Sequence, residues 1–261
     1  MKIGWRTERM IIFGTDFDGT LYFHDREEQI QSVDVEAIKN FQKTGNLFGL
    51  VTGRGTAMWK DVEVKLKDKV QFDFRIHSNG ACILDRDGNA LFKQYIPEDV
   101  FRTAFEHGKH LELVFHAQKE LYVLNVGEFD DFEGVRCIHS IDEMEADEVF
   151  EISFRADNPK GQQYLEYLRT VPGLEIAANA EFVDVMAKGM TKGFGVKKML
   201  ELTHQSGMTC AIGDSYNDQS MLEQTDLSFT FPTSPQVVQN SADRIVENIA
   251  QALDYVIQTQ N

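Results

Sequence analysis

The sequence predicts an α/β protein built in two parts. One part is a core with a parallel sheet and crossover helices, drawn from both ends of the chain. The other is an inserted α+β unit with an antiparallel sheet. Three observations predict this. Apolar runs of strand length alternate with helical patterns up to residue 83; strands follow one another with few helices between residues 84 and 186; the alternation resumes from residue 187. A parallel strand must return through a crossover, usually a helix, whereas adjacent strands pair antiparallel through short turns. The boundaries are therefore a core of residues 1–83 plus 187–261 and an insertion of residues 84–186.

Each element follows from local chemistry. Residues 10–15 form an apolar run that stops at Asp16. The stretch "SVDVEAIKNFQKTGN" carries Val33, Val35, Ala37, Ile38 and Phe41 near helical spacing, with Ser32 or Asp34 to cap its start and Gly45 to close its end. Leu47 to Val51 is a second strand ending in Thr52-Gly53-Arg54. "TAMWKDVEVKLKDK" predicts a second helix, and "FDFRIHSNGACIL" a third strand broken at Asn79-Gly80.

Within the insertion, "DRDGNALFKQYI" reads as a hairpin turned at Asp87-Gly88, and a helix follows near 97–110. "LELVFHA" and "LYVLNV" are close enough to pair. "EVFEISFRA" is a further strand, "NPKGQQYLEYLRTV" a helix with Pro159 in its first turn, and "LEIAANAEFVDVM" a pair of strands. Between them "EFDDFEGVRCIHSIDEMEADE" holds nine carboxylates and one arginine, Arg136, which predicts a solvated connection or frayed helix. It lacks the oxygen spacing and sixth-position glycine of a calcium loop. In the last part, a helix opens after Lys192-Gly193, "MTCAIGDSYNDQSMLEQT" is a strand ending on Gly213-Asp214, "LSFTF" is a final strand, and the remainder is helical.

Bulk properties exclude several functions. A length of 261 residues suits one large domain or two smaller ones, and 42% hydrophobic content supports a packed core. The net charge is 26 − 42 = −16, which argues against nucleic acid or an anionic membrane as a partner. An anionic small substrate would need a local positive field. Cys82, Cys137 and Cys210 are odd in number and form no CxxC pair, as expected of reduced thiols in a cytoplasmic protein. The start "MKIGWRTERM" is charged and followed only by "IIF", too short for a signal peptide; residues 1–9 are expected to be an extension. Nothing in the sequence speaks to oligomeric state.

Four polar groups fall where predicted core strands end or helices begin: Asp16 with Asp18, Thr52 with Gly53, Lys192, and Asp214 with Asn217 and Asp218. Such positions surround the ligand crevice of an open parallel sheet. Each alone has an ordinary explanation in a turn, a surface lysine or a helix cap. Together they point to one site.

These segments, "DFDGTL", "VTGR", "TKG" and "GDSYND", resemble the four motifs of the haloacid dehalogenase superfamily of phosphohydrolases. The insertion between the second and third motifs, with "HSNGA" at its entry, is similar to the C2B cap of the Cof-type branch. The resemblance covers nearly the whole chain. It implies a Rossmann-like, doubly wound core, a mobile cap, Mg²⁺ and phosphatase activity on a small phosphorylated metabolite. Gly14-Thr15 before the first motif and "FTFPTSPQVV" after the fourth depart from the family pattern without removing a catalytic group.

The residue chemistry fits that expectation. Asp16, fixed at a strand end, is the candidate nucleophile for an aspartyl-phosphate, and Asp18 the acid and then base. Asp16, Asp18, Asp214 and Asp218 are the candidate metal set, with the main-chain carbonyl of Asp18 as its contribution and Asp218 expected to orient rather than ligate. Two unit charges about 4 Å apart repel by roughly 4 kcal/mol at an effective dielectric of 20, so a hard divalent cation such as Mg²⁺ relieves the set. Thr52, Gly53, Lys192 and Asn217 are candidate phosphate ligands, with Lys192 supplying positive charge. Two alternatives stay open: a phosphomutase of the same superfamily, and a non-catalytic metabolite-binding protein.

Overall fold

The computed structural model describes residues 10–66, 68–125, 135–179 and 182–260; the expected extension at residues 1–9 lies outside them. The first stretch of the chain runs β1 (Ile11–Thr15), α1 (Ser32–Lys43), β2 (Leu47–Val51), α2 (Thr56–Leu66), β3 (Phe74–His77), β4 (Cys82–Asp85) and β5 (Ala90–Lys93). Next come α3 (Glu98–Gly108), β6 (Leu113–Ala117), β7 (Leu121–Leu124), β8 (Val135–Ile138), β9 (Val149–Arg155), α4 (Pro159–Leu168), β10 (Leu174–Asn179) and β11 (Phe182–Ala187). The chain ends with α5 (Lys192–Thr203), β12 (Met208–Ile212), α6 (Gln219–Leu222), β13 (Leu227–Thr230), α7 (Gln236–Ser241), β14 (Arg244–Ile245) and α8 (Ile249–Gln260).

The first sheet has the order β14-β13-β12-β1-β2-β3-β4-β5, parallel as far as β3. Its hydrophobic face pairs dictate helices on both sides. Phe13, Phe48 and Phe229 pack with Ile38 and Phe41 of α1 and Ile249 and Leu253 of α8. On the opposite face Ile12, Val51 and Ala211 pack with Val196 and Met199 of α5 and Met221 and Leu222 of α6. Successive residues of β1 thus serve opposite cores, as the two-residue period of a strand requires. The phenylalanines stack across the strands, Phe13 on Phe48 at 5.8 Å between centroids. The sheet is therefore doubly wound.

The second sheet has the order β10-β11-β9-β6-β7-β8. Its neighbours are antiparallel except for β7 and β8, which run parallel. Phe115, Ile152, Phe154 and Val185 face Phe101 and Phe105 of α3 and Tyr164 and Leu168 of α4. That buries one face of the sheet and leaves the other turned away from its own helices.

Several expectations change. The inserted unit was to begin at residue 84, but β4 pairs with β3 and β5 with β4, so the Asp87-Gly88 hairpin extends the first sheet. The chain crosses between the sheets at residues 94–97 and 188–191. The acidic stretch was expected to be a solvated connection or frayed helix; its residues 135–138 are β8, and residues 128–134 lie outside the described ones. Asp34 does not cap α1. Its carboxylate is buried and accepts from Ala250 N at 2.8 Å, tying α1 to α8. Helix α5 opens at Lys192 itself rather than after Lys192-Gly193, with the Thr191 hydroxyl accepting from Phe194 N at 3.1 Å. No helix of the described residues is long and apolar enough to cross a membrane. The cysteines form no disulfide: Cys82 and Cys210 are buried and Cys137 is exposed.

Candidate active site

Register brings the motifs level. Thr15 lies beside both Ile212 of β12 and Leu50 of β2, so the chain leaves all three strands on one edge of the sheet. Asp16 follows β1, Thr52 follows β2, and Asp214 follows β12 by two residues. Asp16 N donates to Ile212 O at 3.0 Å, which anchors its backbone to the sheet. The next residues fold into a tight turn in which Thr20, Leu21 and Tyr22 N all donate to Phe17 O. Gly19 has φ +82°, and a Cβ there would stand 2.6 Å from an Asp214 oxygen. Glycine is thus required both by backbone conformation and by the approach of Asp214.

The buried floor is a network of three carboxylates and one ammonium. Lys192 Nζ donates at 2.6 Å to Asp16 Oδ1 and at 2.6 Å to Asp218 Oδ1. Asp218 Oδ2 accepts from Asp214 N at 3.0 Å and Ser215 N at 2.9 Å. Thr20 Oγ1 donates to Asp214 Oδ1 at 2.7 Å. One oxygen each from Asp16, Asp214 and Asp218 lie within 4.8 Å of one another. Burial pushes Asp16 well above the usual carboxylate range; Lys192 opposes this, while Asp218 and Asp214 add to it. Burial, with Asp218 beside it, raises Asp214 to about 6. Burial alone would depress Lys192, but Asp16 and Asp218 pull it up instead.

The donor set fits a divalent cation. Three carboxylates share one ammonium, and all the donors are hard oxygens, the set Mg²⁺ takes. Asp16 and Asp214 each keep an oxygen outside the hydrogen bonds described above. Both oxygens of Asp218 are committed, so it is suited to orienting its neighbours rather than to ligation.

Asp18 lies apart from that network. Arg54 grips it with Nε to Oδ2 at 2.7 Å and an Nη to Oδ1 at 2.6 Å, and His24 Nε2 lies 2.8 Å from Oδ1. Burial acts to raise the Asp18 carboxyl, but hydrogen bonds and charge from Arg54, with help from His24, hold it below the usual range. A free general acid needs the opposite, so Arg54 must be counted in any mechanism. Neither Arg54 nor His24 stood out as a site residue in the sequence; Arg54 was legible only as the neighbour of Thr52 and Gly53.

Above the floor is a cavity of about 250 Å³. Asp16, Asp18, Thr52, Gly53, Arg54 and Asn217 line its lower wall. Lys192 does not line it, being committed beneath Asp16. Thr52 Oγ1 accepts from Arg54 N at 3.1 Å, and Asn79 N donates to Thr52 O at 3.1 Å. Asn217 Nδ2 donates to Asn79 Oδ1 at 3.2 Å, while Asn217 Oδ1 is buried without a partner.

The upper wall comes from the second sheet: Val114 and His116 of β6, Glu151 and Ser153 of β9, Phe182 and Asp184 of β11. These positions alternate with the residues that pack on α3 and α4, so one face is core and the other is cavity. Ser153 Oγ lies 2.7 Å from Asp184 Oδ1 and 3.0 Å from His116 Nε2. Asn79, on the first-sheet side and in the left-handed region at φ 51°, donates Nδ2 to Glu151 Oε2 at 3.0 Å and to Asp184 Oδ2 at 3.3 Å. Burial raises both Glu151 and Asp184 and lowers His116 to about 4. The trace of this wall in the sequence is a carboxylate in the middle of an apolar strand, "VFEISFR".

Comparison with known proteins agrees with this geometry. The model of the haloacid dehalogenase-like hydrolase family matches residues 13–254. A glucosyl-3-phosphoglycerate/mannosyl-3-phosphoglycerate phosphatase of Persephonella marina is 24% identical, over 85% of this chain and 85% of its own. A 5-amino-6-(5-phospho-D-ribitylamino)uracil phosphatase of Bacillus subtilis is 25% identical over 90% of this chain and 89% of its own. A solved sugar phosphatase of haloacid dehalogenase subclass IIB superposes with a TM-score of 0.81 at 25% identity, covering 95% of this chain and 98% of that one.

Proposed function

Since the chain belongs to the haloacid dehalogenase-like hydrolases and is a phosphatase of that family, we propose that it is a Mg²⁺-dependent enzyme hydrolysing small phosphorylated metabolites, sugar phosphates among them, through an aspartyl-phosphate. The observation that carries this reading is the placement of Asp16. It stands at the end of the central strand, with Lys192 on one oxygen, Asp214 close by, and the cavity above.

In this reading Asp16 attacks phosphorus. A bond forms between its carboxylate oxygen and phosphorus as the bond to the leaving oxygen breaks. Asp18 gives that oxygen a proton, then takes one from the water that releases phosphate. Arg54 exchanges partners: a phosphoryl group offers the guanidinium a bidentate anion in place of Asp18, and Asp18 regains its affinity for a proton. Thr52, Gly53 and Asn217 orient the phosphoryl oxygens. Lys192, through the two carboxylates it holds, keeps Asp16 aimed and charged. Asp16, the Asp18 carbonyl and Asp214 would hold Mg²⁺, which supplies charge neutralisation to the phosphoryl group. The second sheet acts as a cap that excludes water and selects the leaving group. Reduced cysteines suit a cytoplasmic setting.

The direct test is release of phosphate from an aryl phosphate, with Mg²⁺ and with a chelator, by the parent chain and by Asp16→Asn. Activity should require the cation and fall by about 10⁴-fold or more in the variant, the scale of losing a nucleophile. Full activity in Asp16→Asn rejects the mechanism.

A further inference from the structure

Asp16 and Asp18 stand two residues apart, yet they are held by different means. Asp16 is fixed by the sheet and the floor: its N–H donates to Ile212 O at 3.0 Å, and its carboxylate accepts from the buried Lys192. The Asp18 carboxyl depends on two side chains. Among the described residues it has three side-chain contacts: Arg54 Nε on Oδ2 at 2.7 Å, Arg54 Nη2 on Oδ1 at 2.6 Å, and His24 Nε2 on Oδ1 at 2.8 Å.

Transfer of Arg54 onto a phosphoryl group removes two of these three contacts at once. Oδ2 then loses its partner, and Oδ1 keeps His24. A carboxyl left with no contact would rotate about its own bonds, and a reacting group misplaced by about 1 Å costs on the order of 10²-fold in rate. His24 is the one described side chain that remains to aim Asp18 when the leaving oxygen needs its proton.

The ring of His24 is seated, although 64% of the side chain is exposed. A carboxylate only accepts, so the ring proton facing Asp18 lies on Nε2, and the 3.2 Å approach of Arg54 Nη2 to that nitrogen is a contact rather than a second hydrogen bond. The ring stands edge-on to Tyr22, with centroids 4.9 Å apart, and Tyr22 stacks on the buried Phe17 at 5.0 Å. Backbone bonds support the same order: Tyr22 N donates to Phe17 O at 2.8 Å, Gly19 N to Tyr22 O at 2.9 Å, and Phe23 N to Gln29 O at 2.8 Å. The turn that carries Asp18 thus folds back and delivers His24 to it. None of these supporting contacts involves Arg54, so departure of the guanidinium leaves them intact.

We infer that His24 is a positioning residue for Asp18: it holds Oδ1 while Arg54 changes partners, and leaves Oδ2 to serve the leaving oxygen. The inference rests on the phosphatase reading above and deepens it. His24 itself transfers no proton.

The test uses p-nitrophenyl phosphate and phenyl phosphate, two aryl phosphates of nearly one shape. Nitrophenolate leaves readily without a proton, whereas phenolate is a stronger base and needs one. The quantity kcat/KM covers the steps up to loss of the leaving group, so it reads Asp18 as acid and not its later work as base. In His24→Ala, kcat/KM for phenyl phosphate should fall about tenfold, part of the roughly 10²–10⁴-fold that a positioned acid contributes, and that for p-nitrophenyl phosphate by less than about threefold. A ratio of the two taken within one preparation cancels any loss of folded protein. His24→Gln keeps an N–H at the reach of Nε2 and should restore the ratio to within about twofold of the parent. Asp18→Asn should shift the ratio further, and adding His24→Ala to it should change the ratio by less than about twofold, since a residue that acts through Asp18 has nothing left to aim. Equal loss on both substrates in His24→Ala, no loss on either, no rescue by His24→Gln, or full additivity in the double variant overturns the inference. If the parent chain hydrolyses neither aryl phosphate, the phosphatase reading falls and the role of His24 with it; if it hydrolyses both and the ratio does not move in His24→Ala, only the role of His24 is lost.

Discussion

The two sheets carry their polar residues in different places. In the first, Asp16, Thr52 and Asp214 stand just beyond the ends of parallel strands, in turns where the backbone is free to bend. In the second, His116, Glu151, Ser153 and Asp184 stand inside antiparallel strands, each alternating with a residue of the hydrophobic core. The difference teaches how each sheet can vary. A strand-end site is made by loops and depends on register. A site on the face of a sheet is made by every second residue and can be rewritten without moving the backbone. In the proposed function, chemistry is held by the first sheet, and choice of leaving group is left to the second.

The sharpest challenge to this contrast is the ammonium of the floor. Lys192→Met leaves Asp16 and Asp218 buried without their shared counter-ion, and removing one partner of a buried ion pair costs about 3–5 kcal/mol. Urea unfolding in the presence of a chelator should show a loss of that size. A loss below about 1 kcal/mol would mean that the floor does not depend on Lys192 for its stability.

Acid should also affect the first sheet through a buried histidine. His77 is fully buried, its Nδ1 lies 3.1 Å from Arg54 O, and burial lowers it from 6.5 to about 4. The unfolded chain therefore binds a proton before the folded one does. The stability His77 lends is complete above pH 6.5 and is lost as pH falls towards 4, by about 2–3 kcal/mol. Comparing unfolding at pH 7 and pH 4.5, His77→Gln should show a shallower acid loss than the parent by that amount.

The smallest effect belongs to the upper wall. Ser153→Ala removes the hydroxyl between Asp184 and His116 and should cost about 1 kcal/mol of stability, as a single hydrogen bond does. Its effect on aryl phosphate hydrolysis should stay below about tenfold, because the hydroxyl's partners are His116, Glu151 and Asp184 and none of the floor residues. A loss comparable to that of Asp16→Asn would erase the division of labour between the sheets.

The same contrast explains what could be read from the amino acids alone. The floor was legible because a strand-end turn compresses into a contiguous motif: Asp16, Asp18 and Gly19 fall within four residues, and Asp214, Asn217 and Asp218 within five. The upper wall was not, because Glu151 and Ser153 look like the polar half of an ordinary two-residue alternation, and only the position of the sheet above the floor gives them a cavity to face. Arg54 and His24 were missed as partners of Asp18 because their contact depends on the turn at residues 17–22. Strand β8 was hidden by charge: a carboxylate-rich stretch reads as solvated, yet the edge of a sheet tolerates exposed polar side chains. The boundary at residue 84 failed for a related reason, since a hairpin can extend either sheet and its sequence does not say which.

The pairing of β1 with β12 has a consequence for synthesis on the ribosome. Residues 11–15 emerge early, but the strand that covers one of their flanks arrives almost two hundred residues later. Until then the growing chain holds a sticky apolar ribbon with one side bare, while the second sheet, whose strands all lie between residues 113 and 187, is already complete. Premature termination before residue 208 would therefore leave an orphaned edge that invites clumping, and shielding by a chaperone should matter most during that interval.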